Sequence, residues 1–111
     1  MAKWADYIIT AVGYDVHNTH ITEVEIRPDT GTAVGQPARA TRASVARAIQ
    51  TGTAFVTAYE RLGQWYKGED VRVVRIGSDV YLRTDANFVR ADNLGNLPRL
   101  VAQIHPAWTG R

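Results

Sequence analysis

The alternation of apolar and polar residues predicts strands early in the chain. Residues 7–12 are dense in β-branched and aromatic side chains, and residues 21–26 alternate apolar with polar, which is the period of a half-buried strand. The polar loop 15–20 between them has a length that joins antiparallel neighbours. We therefore predict a hairpin, followed by a turn at residues 28–31 and a short third strand at residues 32–36.

The same pattern predicts one helix, over residues 42–50. Its apolar residues at helical spacing are Val45, Ala48 and Ile49. Thr41 stands at the N-cap position, and Gly52 stands where a left-handed C-terminal residue belongs. The apolar stripe is narrow and rich in alanine, so the helix is expected to lie close against a sheet, with Arg42 and Arg47 facing solvent.

Three further segments downstream of the helix have strand character, at residues 54–59, 71–76 and 80–84. Residues 77–79 (Gly-Ser-Asp) join the last two as a tight hairpin. The connection 60–70 is expected to be a loop.

The loop 60–70 carries Trp65 and Tyr66 where a bare connector would be polar. Two interpretations are open: either these aromatic rings fold back over the core, or they form a contact surface for a partner.

Together these elements predict an α+β fold. We expect a small, twisted, mostly antiparallel sheet or partly open barrel of five to six strands with one helix, in the order β-β-(β)-α-β-β. Residues 1–98 form a single domain, and residues 99–111 form an apolar tail. The 111-residue length suits one hydrophobic core.

Composition narrows the possible chemistry. The chain contains no cysteine, which excludes disulfides, thiolate catalysis and cysteine-ligated metals. No stretch has the length and apolar character of a membrane span or a signal peptide, so a cytoplasmic location without membrane contact is expected. Residues 1–30 hold two basic and five acidic side chains, whereas the rest holds eleven basic and six acidic ones. This asymmetry favours an anionic partner only weakly.

The chain resembles the small bacterial proteins grouped as the domain of unknown function 3892 family. The matching stretches are Tyr-Ile-Ile-Thr-Ala-Val at 7–12, the segment 41–52, Phe-Val-Thr-Ala-Tyr at 55–59, Tyr-Leu-Arg-Thr at 81–84 and Asp-Asn-Leu-Gly-Asn-Leu-Pro at 92–98. The sequence departs from the family in having Ala40 where many relatives place a tryptophan. The family has no assigned activity, so the resemblance implies a complete domain but supplies no function. A bacterial or phage origin is expected.

The sequence contains little that resembles a catalytic or metal-binding motif. Ser44 falls inside the helix and Ser78 in a tight turn, neither within a nucleophile elbow. Asp15, His17 and His20 are possible metal ligands, but a solvated hairpin loop is the favoured interpretation. We therefore expect no enzyme activity, no metal and no cofactor.

Two surfaces remain as candidates for a partner. The first, suited to nucleic acid because arginine binds phosphate and tyrosine stacks on bases, comprises Arg72, Arg75, Arg83, Tyr81 and Tyr59. The second, suited to a protein partner or to self-association, comprises Trp65, Tyr66, Leu100, Val101, Ile104 and Trp108.

These tail residues are too apolar to be left in water. Docking on their own domain and docking on a second subunit are both open. The favoured function is a small non-catalytic binding or assembly module, which could act as a homo-oligomer. A nucleic-acid-binding module is the alternative.

Overall fold

The computed structural model describes residues 3–15, 20–84, 94, 97–100 and 107–108 of the chain. Its elements follow one another as β1 (Tyr7–Tyr14), β2 (Ile21–Pro28), β3 (Ala38–Thr41), α1 (Arg42–Gln50), β4 (Phe55–Arg61), β5 (Gln64–Asp70), β6 (Arg72–Ile76) and β7 (Asp79–Arg83). This order confirms the predicted α+β class, with three strands before the helix. Within the described residues, no helix is long and apolar enough to cross a membrane.

The strands form two sheets. Five lie side by side in the order β3-β2-β1-β4-β5, and β6 and β7 form a separate two-stranded sheet. Every neighbouring pair is antiparallel except β1 and β4, which run parallel over three residue pairs, from Tyr7 opposite Phe55 to Ile9 opposite Thr57. The mostly antiparallel character is confirmed, and no pairing among the described strands joins β3 to β5 into a closed barrel.

The third strand lies at β3 and not at residues 32–36, where it was predicted. β3 pairs antiparallel with β2, placing Ala40 opposite Val24 and Ala38 opposite Ile26. Both alanines pack on the core, so this short strand is specified by small side chains that carry little strand propensity.

The predicted loop 60–70 was also wrong, because most of it is strand β5. β4 and β5 are joined by the two residues Leu62 and Gly63, whose φ angles are 52° and 79°. Two positive φ angles in succession are typical of a type I′ turn, whose twist matches that of the flanking strands. Leucine at the first position hides this turn from sequence analysis, since asparagine or aspartate usually marks it.

Helix α1 and the β6–β7 sheet pack against one face of the five-stranded sheet. A smaller cluster of buried side chains lies on the other face. The buried residues of the first face include Ile9, Val12, Val24, Ile26, Val45, Phe55 and Leu82. The buried residues of the second face are Ala5, Ile8, Val56 and Ala58, with Trp4, Val34 and Trp65 packed against them. Adjacent residues of one strand, such as Ile8 and Ile9, thus serve opposite faces, as the strand period requires.

The helix is capped as predicted. Thr41 Oγ1 accepts a hydrogen bond from the backbone N–H of Ser44 at 3.1 Å, and Gly52 has a φ of 107° just after the helix end. Both are the expected ways of satisfying or turning the terminal backbone.

Arg42, predicted to face solvent, instead ties α1 to the small sheet. Its Nη2 donates to the carbonyl oxygen of Val80 at 2.9 Å, and its guanidinium carbon lies 5.6 Å from the ring centroid of Tyr81. Arg47 is exposed, as predicted. The difference arises because β6 and β7 pack beside the first turn of the helix, which helical periodicity alone does not reveal.

The described part of the tail forms backbone hydrogen bonds with its own domain. Val12 N donates to Pro98 O at 3.0 Å, and Leu100 N donates to Val12 O at 2.7 Å. Farther along, Trp108 N donates to Arg39 O at 2.8 Å. The tail therefore extends the sheet at two places, beside β1 and beside β3.

The Trp108 ring packs against the core on the face of the five-stranded sheet that α1 covers. It meets Tyr7 and Phe55 edge-on, with ring centroids 5.3 Å and 5.8 Å away, while those two rings stack on each other at 5.4 Å. For Leu100 and Trp108 these contacts favour docking on their own domain. The other two predicted tail residues, Val101 and Ile104, lie outside the described residues.

Replacing Trp108 by alanine is expected to lower the free energy of unfolding by about 3 kcal/mol, because it removes one member of this aromatic cluster. Urea denaturation followed by far-ultraviolet circular dichroism measures the change. Leu62→Ala is the matched control, since Leu62 is 99% exposed and its loss is expected to cost less than about 0.5 kcal/mol. Equal effects of the two substitutions would contradict the packing described for the tail.

Candidate functional site

The β4–β5 hairpin presents the exposed large apolar side chains of the described residues. Tyr59 is 46% exposed, Tyr66 is 41% exposed and Leu62, at the tip, is 99% exposed. We call these three side chains the hairpin surface. Single exposed apolar residues are ordinary, but the grouping of three on one hairpin distinguishes it from the rest of the described surface.

Tyr59 and Tyr66 form a stacked pair. They lie directly opposite each other on β4 and β5, with ring centroids 5.4 Å apart and an angle of 19° between the ring planes. The Tyr66 hydroxyl donates to Gln64 Oε1 at 3.2 Å. Such cross-strand aromatic pairs stabilise a hairpin and hold their outer edges in fixed positions.

Trp65 points to the opposite face of the hairpin from Tyr66. It is half-buried against the smaller core cluster, and the guanidinium carbon of Arg27 lies 5.4 Å from its ring centroid. The two predicted roles are thus divided between the neighbours: Trp65 folds back over the core, and Tyr66 remains at the surface.

A bulge in β5 bounds the hairpin surface on its far side. Lys67 lies opposite Ala58 and Asp70 lies opposite Val56, so Gly68 and Glu69 together face the single residue Thr57. The Glu69 backbone N–H donates to Thr57 Oγ1 at 2.9 Å. Bulges of this kind end regular pairing along an edge strand.

A cleft opens where β1 and β4 diverge. Its volume is about 420 Å³, and the charged side chains at its walls are Glu25, Arg27, Glu60 and Arg99. Thr10 Oγ1 donates to Glu25 Oε1 at 2.7 Å, Arg27 Nη1 donates to Gly35 O at 3.2 Å, and Arg99 lies 4.5 Å from the ring centroid of Tyr14. Three of the four charged groups are therefore held by their own chain.

Glu60 is the fourth charged group, and within the described part of the chain it has no ion pair. It lies on β4 directly opposite Trp65 and is exposed. Its carboxylate is therefore available to a cation from outside the domain.

A second cleft, of about 460 Å³, lies at the start of β1. There Asp6 Oδ2 accepts the backbone N–H of Ala54 at 2.8 Å. This hydrogen bond holds the pKa of the Asp6 carboxyl below its ordinary value; desolvation opposes the shift, and the Lys3 ammonium 3.5 Å away reinforces it. The group joins the beginning of β1 to the beginning of β4, which is a structural role.

The five predicted nucleic-acid contacts are only partly brought together. Arg72 and Arg75 are exposed on β6, but they are three positions apart, so their side chains point to opposite faces of the strand. Arg83 and Tyr81 are each only 5% exposed on β7, and Tyr59 lies on the other sheet. Arg72 lies directly opposite Arg83, and Tyr81 shares their face of the small sheet, whereas Arg75 and Tyr59 lie elsewhere.

Tyr81 is held in a cluster with two cationic or aromatic neighbours. Besides Arg42, the imidazole of His20 stacks on it, with ring centroids 5.6 Å apart. His20 also closes the loop after β1, since Asp15 N donates to His20 O at 2.9 Å. His17 lies outside the described residues, and the described ones contain no group of three potential metal ligands.

The fold and the hairpin surface define a small α+β domain with one solvent-facing aromatic hairpin. The chain belongs to the family described as protein of unknown function (DUF3892), whose model matches residues 8–98. This confirms the resemblance seen in the sequence and supplies no activity. Neither the curated proteins nor the solved structures include a significant match to the chain.

Gly68→Ala is expected to lower the free energy of unfolding by about 1–3 kcal/mol, because a Cβ at this position would collide with Thr57 Oγ1 and lie 3.0 Å from the Thr57 carbonyl oxygen. Gly13→Ala is the control: its Cβ would meet its nearest neighbours at 3.6 Å, an ordinary contact. Chemical denaturation of the two variants tests the bulge. If Gly68→Ala is no more destabilised than Gly13→Ala, the bulge geometry is wrong.

Proposed function

We propose that this protein is a non-catalytic protein-binding module whose contact site is the hairpin surface. The observation that carries the proposal is the grouping of Tyr59, Leu62 and Tyr66, the exposed large apolar side chains among the described residues, on one hairpin. Tyrosine is enriched where proteins bind one another, since it buries a large apolar area and retains a polar end.

The rigidity of this surface supports the same conclusion. The Tyr59 and Tyr66 rings are fixed by their stacking, and the hairpin backbone is fixed by a two-residue turn. A binding partner therefore meets side chains that have little conformational entropy left to lose, which raises affinity for a given contact area.

The positions of the two serines support a non-catalytic role. The Ser44 hydroxyl accepts a hydrogen bond from the Thr41 hydroxyl at 2.9 Å within the helix cap. Ser78 lies in the turn between β6 and β7. Neither serine lies at the wall of the two clefts described above.

A nucleic-acid-binding module is the second candidate. It is favoured by the exposure of Arg72 and Arg75 on β6 and by the stacking capacity of Tyr59 and Tyr66. Binding of this kind would weaken steeply as salt concentration rises. Burial of Arg83 and Tyr81 removes two of the five side chains from such a surface.

Affinity purification of the tagged chain tests the two candidates together. Tyr59→Ser combined with Tyr66→Ser is expected to reduce recovery of a protein partner about thirty-fold or more, as the loss of a contact worth about 2 kcal/mol would. Arg72→Ser combined with Arg75→Ser is the matched control and is expected to retain the partner. Thermal unfolding of both double variants verifies that they remain folded.

The result that would overturn the protein-binding proposal is partner recovery that survives loss of both tyrosines. Recovery of RNA or single-stranded DNA at low salt, lost in the double arginine variant and kept in the double tyrosine variant, would establish the alternative in its place.

A further inference from the structure

The two edges of the five-stranded sheet differ in whether another segment of the chain covers them. At the β3 edge, Arg39 forms a bridge with Ala107, and its carbonyl oxygen accepts the Trp108 N–H. At the β5 edge, no strand of the described residues pairs on the outer side. An open edge is a template for strand addition, and proteins normally cover or disrupt it.

The hairpin geometry shows which backbone groups of β5 are available. Arg61 and Gln64 flank the two-residue turn, so they form a hydrogen-bonded pair, and such pairs alternate along an antiparallel ladder. Gln64 and Tyr66 therefore direct their N–H and C=O groups toward β4. Trp65 and Lys67 direct theirs outward, to the open side.

We propose that two copies of this chain associate by pairing their β5 strands antiparallel, with Tyr66 on the two-fold axis. The inference rests on the proposed function and specifies its partner as a second copy. In this register Trp65 of each copy lies opposite Lys67 of the other. Their outward backbone groups form four hydrogen bonds and join two five-stranded sheets into one.

The side chains are self-complementary in this register. On one face, Tyr66 meets the second copy's Tyr66, so that the two Tyr59–Tyr66 stacks become a continuous row of four rings. On the other face, each Lys67 lies over the second copy's Trp65 and extends toward Glu60, which has no ion pair in the described part of the chain. The Lys67 ammonium lies 3.9 Å from Asp70 Oδ1 in its own chain, an exposed pair, and in the dimer it exchanges that pair for an aromatic ring and a carboxylate.

Neighbouring registers lack this complementarity. Placing Lys67 on the axis would set two ammonium groups directly opposite each other. Placing Trp65 on the axis would set Lys67 against Gly63 in the turn and shorten the paired segment. The bulge at Gly68 and Glu69 stops regular pairing just beyond Lys67, so pairing is confined to the segment centred on Tyr66.

Disulfide trapping tests the register. Because the chain contains no cysteine, any disulfide must form between the introduced thiols. In Tyr66→Cys the two introduced thiols face each other across the axis, with Cα atoms about 4.5 Å apart, which a disulfide spans. In the control, Leu62→Cys, the two Cα atoms lie eight residue steps apart, about 26 Å. Mild oxidation is expected to convert most of the first variant to covalent dimer under conditions in which the second forms no covalent dimer.

A charge exchange tests the same interface without removing Tyr66. Sedimentation equilibrium of the unmodified chain is expected to show a dimer. Lys67→Glu is expected to raise the dissociation constant about tenfold, because both symmetry-related contacts are lost. Adding Glu60→Lys to that variant is expected to restore most of the association, since the two charges are then exchanged.

The inference is overturned if Tyr66→Cys forms covalent dimer no faster than Leu62→Cys, or if the unmodified chain sediments as a monomer at all concentrations. It is also overturned if the double charge exchange is no stronger than Lys67→Glu alone. Its failure is distinguishable from failure of the proposed function: a monomeric chain that still binds another protein through Tyr59 and Tyr66 would retain the function and lose only the second copy as partner.

Discussion

The short parallel pairing of β1 with β4 is the constraint on which the rest of the structure depends. It extends over three residue pairs and ends at Ile9 and Thr57, and Asp6 reinforces its start by accepting the Ala54 N–H. Beyond it β1 still carries backbone groups that need partners. The chain near Pro98 supplies them to Val12, and β4 is left to continue with β5 as a projecting hairpin.

The divergence of these two strands therefore creates both features that suggest function. It opens the cleft walled by Glu25 and Glu60, and it carries Tyr59 and Tyr66 away from α1 and into solvent. The same chain closes the opposite edge of the sheet with Ala107 and Trp108. The tail thus covers the β3 edge of the sheet, and the β5 edge is left available for association. The self-complementary β5 segment suits a second copy of the chain at that edge.

The elements that could be predicted from the sequence are those whose residues follow one dominant period. Strict alternation marks residues 21–26, and the helix is marked by Thr41, Gly52 and its apolar stripe, all of which the structure confirms. β5 escaped prediction because an edge strand with exposed side chains has no alternation to detect. β3 was not predicted because its buried positions are occupied by alanines, which have little strand propensity.

The candidate site was visible only in part for a related reason. Trp65 and Tyr66 could be recognised as unusual in a connection, but the stacking of Tyr66 on Tyr59 depends on the register of β4 and β5. That register follows from the turn at Leu62 and Gly63, whose positive φ angles the leucine conceals. The arginines of β6 and β7 illustrate the converse, since nearness in sequence placed exposed Arg72 and buried Arg83 in one predicted set.

Residue-resolved amide hydrogen exchange, followed by NMR at low and high protein concentration, tests most directly whether the β5 edge is the binding site. We expect fast exchange of the outward amides of Trp65 and Lys67 in dilute solution, slow exchange of the inward amide of Tyr66, and protection of all three at high concentration. Outward amides that exchange equally fast at both concentrations, or concentration-dependent protection confined to β6 and β7, would contradict association through the β5 edge.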